Sequence, residues 1–155
     1  YEAPDVNLYD DYLTVSQGKS NSKFWYADKS LVVSPTKQIV MPSAEVKVRI
    51  SQSNYTDLLK ASNIMQLSDI GLVSDGDTIN LIATDKKNQT SNRFDVEVAE
   101  GNGSKFAFYF KRDNLRVIPG EYDLTVSSKN ISHWVNANKN LQYWIALEVD
   151  STFEG

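Results

Sequence analysis

Residues 105–116 hold four cations, Lys105, Lys111, Arg112 and Arg116, against one carboxylate, Asp113; from Leu147 onward there are three acids and no base. A basic cluster of this kind can meet a polyanion through water or loose ion pairs. Such contacts ignore base sequence and weaken steeply with salt. The chain as a whole offers no help: its net charge is −4 and its pI about 5.0, so any attraction to nucleic acid is local.

Catalytic chemistry finds no footing. His133 is the only histidine and lies in an alternating, strand-like stretch beside Trp134. General acid–base work needs a positioned partner as well, and none is visible. Asp75-Gly76-Asp77 lacks the spacing and closing Glu of a calcium loop, and reads as a hairpin turn. There is no Gly-rich phosphate loop, no GxSxG and no ligand cluster for a metal, so neither an enzyme activity nor a cofactor is expected. With no cysteine, disulfides and thiolate chemistry are excluded. Four N-x-S/T sequons, at Asn54, Asn88, Asn102 and Asn130, are chance matches in an Asn- and Ser-rich chain. No apolar run approaches the ~20 residues that span a bilayer, so no membrane partner is expected.

The elements that would position these residues are mostly strands, in a chain of 155 residues with 41% hydrophobic and 23% charged content, the composition of a globular domain. Val46, Val48 and Ile50 alternate with charged residues, predicting a half-buried strand. Tyr55, Leu58, Leu59, Ser62 and Met65 follow at helical spacing, with Ser53 or Asn54 as the expected cap. Strands are then predicted around Ile70 and Leu72, over residues 78–84 and over residues 93–100, where Phe94, Val96 and Val98 alternate. The order begins again. Phe106, Phe108 and Phe110 form a strand, residues 111–116 a short helix or turn, and residues 122–128, 131–136 and 141–149 three more strands. In the last of these Tyr143, Ile145 and Leu147 share one face and Trp144 and Ala146 the other, so both faces need cover; a loose acidic tail follows. Residues 5–27 add three short strands, and Pro35 and Pro42 bracket an apolar, extended connector.

Several short passages share an order and spacing with one known family. They are FWYADKSLVV (residues 24–33), the connector from Pro35-Thr36-Lys37 to Met41-Pro42, and Asp57-Leu58-Leu59-Lys60 with Ser62. Ile118-Pro119-Gly120-Glu121-Tyr122 and YWIALEVDST (residues 143–152) complete the set. Spread over nearly the whole chain, they resemble the DNA sliding clamps of the T-even bacteriophage type, the polymerase accessory proteins. The resemblance implies an α+β DNA-clamp fold. In it, each domain is two strand–helix–three-strand units, with antiparallel sheets outside a ring and helices lining its hole.

On that resemblance residues 1–33 are the closing strands of an incomplete first clamp domain, 34–44 the interdomain connector, and 45–155 a complete second domain. The implied function is that of a processivity factor tethering a viral polymerase to duplex DNA in the cytoplasm of the infected cell. A β-rich viral structural or assembly domain is the alternative. Lys60, Lys111, Arg112 and Arg116 would face the DNA. Ile39, Val40 and Met41, with Ile131, Trp144 and Ala146, would form a shallow pocket for a hydrophobic peptide of the polymerase or clamp loader. The family's subunits close a trimeric ring; these residues alone are not expected to do so.

Overall fold

The computed structural model describes residues 3–33 and 36–155, so the Pro35 bracket of the connector lies outside the described residues. The chain divides into two compact units, residues 1–38 and 39–155. The first is an antiparallel meander of β1 (Asp5–Leu8), β2 (Tyr12–Gln17) and β3 (Ser20–Trp25), with Gly18 at φ +59° in the second turn. Leu8, Leu13 and Phe24 stand in one cross-strand row. On the opposite face Lys23 Nζ sits 3.7 Å above the Tyr12 ring and 4.0 Å above that of Trp25, a cation–π arrangement.

The second unit holds β4 (Val46–Ile50), α1 (Gln52–Ile64), β5 (Asp69–Ser74), β6 (Thr78–Thr84) and β7 (Phe94–Glu100). It continues with β8 (Lys105–Lys111), β9 (Tyr122–Ser127), β10 (Ile131–Asn136), β11 (Gln142–Ala146) and β12 (Thr152–Glu154). The two repeats interlock rather than folding separately. β4 leaves its own repeat to pair with β9, giving the four-stranded order β11-β10-β9-β4. β8 in turn pairs with β5, giving β12-β8-β5-β6-β7. All these pairings are antiparallel.

One core fills the space between the sheets. Val46, Val48, Ile50, Leu124, Val126 and Ile145 come from the four-stranded sheet, and Ile70, Leu72, Leu81, Phe108 and Phe110 from the five-stranded one. Trp134 is fully buried at its centre, edge-on to Tyr55, Tyr122 and Phe110 with ring centroids 5.8–6.1 Å away. Aromatic pairs of this geometry each add about 0.5–1.5 kcal/mol beyond their buried area. The indole Nε1 donates to Ser132 Oγ, whose hydroxyl donates to the Ile145 carbonyl, so no polar atom of the tryptophan is left dry.

Four sequence expectations are revised or narrowed. The cap of α1 is Ser51, whose hydroxyl accepts from Asn54 N–H; Ser53 and Asn54 lie inside the helix. Tyr55, Leu58 and Ser62 of the stripe are buried, but Leu59 and Met65 only partly so. Of the short helix or turn expected over residues 111–116, the turn is what forms, a single 3-10 turn, Arg112–Asn114. The reason is local: Leu115 and Val117 are both buried with Arg116 exposed between them, a period of two that an α-helix cannot deliver. Nor is the tail loose. β12 pairs with β8, and Phe153 stacks on Phe106 and Phe108.

Candidate DNA-facing layer and partner surface

α1 and residues 112–117 lie side by side and antiparallel. Near the start of α1 the Tyr55 hydroxyl donates to the carbonyls of Leu115 at 3.0 Å and Val117 at 3.3 Å. Burial pushes that hydroxyl up to about 12, so it stays a donor across ordinary pH. Near the helix end, Arg112 Nη1 donates to the Ser62 carbonyl at 3.4 Å and its backbone N–H to Ser68 O at 3.0 Å. A cation beside the last carbonyls is favoured by the helix dipole. Lys60 stands on the side of α1 away from the core, 3.9 Å from Asp57, and Arg116 points outward with Nε donating to Asp113 O. Lys60, Arg112 and Arg116 therefore belong to one layer.

Lys111 does not. It is the last residue of β8, and alternation from the buried Phe110 puts its side chain on the opposite face of the five-stranded sheet. There its Nζ lies 2.6 Å from Oδ1 of the fully buried Asp69 and 3.6 Å from Glu148. Burial raises the Asp69 pKa, but Lys111, the Ser68 hydroxyl and the Lys86 N–H overcome it and hold the carboxyl below its usual range. The placement of Lys111 toward DNA is thus corrected: its charge is committed to a buried carboxylate.

The outward face of the four-stranded sheet gathers the second set. Ile131 pairs with Ala146 and His133 with Trp144 across β10 and β11. The His133 ring stacks on Trp144 with centroids 3.9 Å apart and planes 9° from parallel, while its Nε2 lies 2.6 Å from Gln142 Oε1. Residues 43–45 are pinned beside this patch. Ser43 Oγ is 2.6 Å from Ser127 Oγ, and Glu45 accepts from the Ser128 backbone and hydroxyl and from Ser43. Partial burial opposes these bonds, yet together they bring the Glu45 carboxyl down to about 2. Just upstream, Ile39 and Val40 are exposed and Met41 is half-buried.

Residues 47–149 match the family model described as gp45 sliding clamp, C terminal. The chain belongs to the gp45 sliding clamp family. It is 24% identical over 157 residues to the sliding clamp of Escherichia phage RB69, covering 97% of this chain and 68% of that one. To the sliding clamp of Enterobacteria phage T4 it is 27% identical over 137 residues, covering 84% of this chain and 60% of that protein. The fold is shared more widely. Archaeal PCNA of A. fulgidus, solved with the C-terminal region of FEN-1, superposes with a TM-score of 0.56 at 16% identity, over 96% of this chain and 65% of that one. A DnaN sliding clamp from Pseudomonas aeruginosa, bound to griselimycin, gives 0.52 at 14%, over 92% and 40%.

The clamp fold accounts for the elements of the second unit: two antiparallel sheets that share one core, with α1 and the Arg112–Asn114 turn side by side. Of the sequence-derived partner residues, the structure brings Ile131, Trp144 and Ala146 together on one sheet face. Ile39, Val40 and Met41 stay on the segment that leads to it. Beside Ile131 and Trp144 stands His133, read from the sequence only as a strand histidine without a catalytic partner. Its signal was parity: it shares the outward face with Ile131, two residues away.

Proposed function

We propose that this chain works as part of a sliding clamp, a processivity factor that holds a DNA polymerase on duplex DNA without catalysing any reaction itself, in the cytoplasm of a phage-infected cell. The match to the clamp family over residues 47–149 carries this reading. It is supported by the layer that places Lys60, Arg112 and Arg116 together, away from the outward sheet faces. Residues 1–33 are the closing strands of a first clamp domain, 34–44 the connector and 45–155 a second domain, consistent with the greater length of the curated relatives. The full protein closes a trimeric ring through which the duplex passes.

Polymerase and clamp loader dock by a hydrophobic peptide on the patch of Ile131, Trp144 and Ala146, with Ile39, Val40 and Met41 as its near wall. Met and Trp suit a surface that receives several partners.

DNA binding by these residues alone is weak, because encirclement supplies most of a clamp's hold. Titration of labelled duplex across salt checks this. Binding should fall with a log–log slope of about −0.9 per phosphate contacted and be blind to sequence. Lys60→Glu with Arg116→Glu and Arg112→Gln should abolish it with little change in Tm; tight, salt-resistant, sequence-selective binding would overturn the reading.

A further inference from the structure

The buried Asp69 has two lysines on it, not one. Its Oδ1 meets Lys111 Nζ, and its Oδ2 accepts from the Lys86 backbone N–H at 3.1 Å. Each of these lysines also holds a carboxylate of the tail. Lys86 Nζ lies 2.7 Å from both oxygens of Asp150, and Lys111 Nζ lies 3.6 Å from Glu148. One buried carboxylate thus fixes both cations that grip residues 148–150.

The tail meets β8 on three sides. On the outward face Lys86, tied to Asp150, sits 4.3 Å from the centre of the Tyr109 ring. Along the edge, Tyr109 O accepts from Glu148 N–H at 2.8 Å, and Tyr109 N–H donates to Ser151 Oγ at 2.9 Å. β12 continues the edge, with Thr152 opposite Ala107 and Glu154 opposite Lys105. On the inward face Phe153 stacks on Phe106 and Phe108. A cleft of about 360 Å³ lies under the turn, walled by Asp69, Lys86, Lys111, Glu148 and Asp150.

These contacts are few and shallow. Leu147 is the last firmly anchored residue, buried and donating its N–H to Asn130 O. Beyond it Val149 is 92% exposed, and the part-buried Phe153 is the tail's one aromatic anchor. Among the described residues, the hydrogen bonds and ion pairs of residues 148–154 end on β8, on Lys86 or within the tail. Segments held so locally open at a fraction of the cost of global unfolding.

We propose that residues 148–155 are a clasp that opens and closes over the β8 edge while the rest of the second unit stays folded. Lys86 is its latch, and Asp69 is the residue that positions the latch. Closed, the clasp denies to any other chain a strand edge that would otherwise be a template for pairing.

β8 carries its own control. The backbone groups of Ala107 and Tyr109 point to the tail, and by alternation those of Phe108 and Phe110 point to β5. Native-state hydrogen exchange of the intact chain in low urea reads both sets. Ala107 and Tyr109 should be the less protected, with a small urea dependence because opening exposes little surface. Lys86→Gln should speed them about twofold to fivefold, the scale of an exposed ion pair, and leave Phe108 and Phe110 unchanged. Lys86→Arg should restore the slow exchange. Moderate salt should speed Ala107 and Tyr109 in the parent and have little effect in Lys86→Gln. One rate and one urea slope for all four amides would mean that the tail leaves only when the whole unit unfolds. Equal acceleration of both sets by Lys86→Gln, or none of either, would mean that Lys86 latches nothing. Any of these results overturns the proposal.

Discussion

Lys111 Nζ and Asp69 Oδ1 meet at 2.6 Å across β8 and β5, and the carboxylate they neutralise is wholly buried. Removing the cation strands that carboxylate. Lys111→Met should cost about 2 kcal/mol, below the ~3–5 kcal/mol of a fully buried pair because the lysine side chain is 37% exposed. The double variant Lys111→Met/Asp69→Asn should recover most of the loss, since Asn can still accept from Ser68 and the Lys86 N–H. Urea melts of the two variants check it.

The same pair sets a pH window. Asp69 is held below its usual pKa when folded, so its contribution is present above about pH 4 and fades as pH falls through the lowered value. Lys111 is raised, so its contribution is full below about 10.5 and is lost as pH rises through the folded value. Glu45, at about 2 when folded against 4.5 unfolded, sharpens the acid limb. Tm should thus fall below about pH 4.5, and Glu45→Gln should flatten that limb.

Leu58→Asp should prevent folding of the second unit, because Leu58 is fully buried and its burial alone is worth about 1.5–3 kcal/mol before the cost of a dry charge. Leu59→Asp should be milder, as Leu59 is only partly buried. Circular dichroism melts separate the two; equal losses would mean that α1 sits differently on the core.

Met41→Asp places a charge on the near wall of the proposed partner surface. It should weaken a polymerase tail peptide by more than tenfold, about 1.4 kcal/mol, with little change in Tm. Trp144 fluorescence reports binding, read with Trp25 and Trp134 replaced by Phe if that variant still folds. Unfolding by Met41→Asp would show that the connector is core; unchanged binding would move the pocket elsewhere.

Strand content was readable because alternation such as Val46-Lys47-Val48-Arg49-Ile50 is local and strong, and the Asp75-Gly76 turn marked its hairpin. Which strands pair was not. The exchange of β4 and β8 between repeats is set by the shared core, and no local pattern encodes that Val46 will meet Val126 or Ile70 meet Phe110. Residues 111–116 read as a short helix or turn, and the period of two in Leu115 and Val117 decides for the turn. Lys111 misled because a surface cation and a counter-ion to a buried Asp69 look identical until β5 and β8 are placed side by side. The family passages carried the fold because their order survives where each alone is too short to be specific.

Primer extension on circular DNA tests whether the protein tethers a polymerase. With its polymerase and clamp loader present, the full protein should lengthen the product made per binding event on a primed circle. On linear DNA with free ends the gain should vanish, since a ring slides off. An unchanged product length on the circle, or an equal gain on both templates, would rule out a sliding clamp.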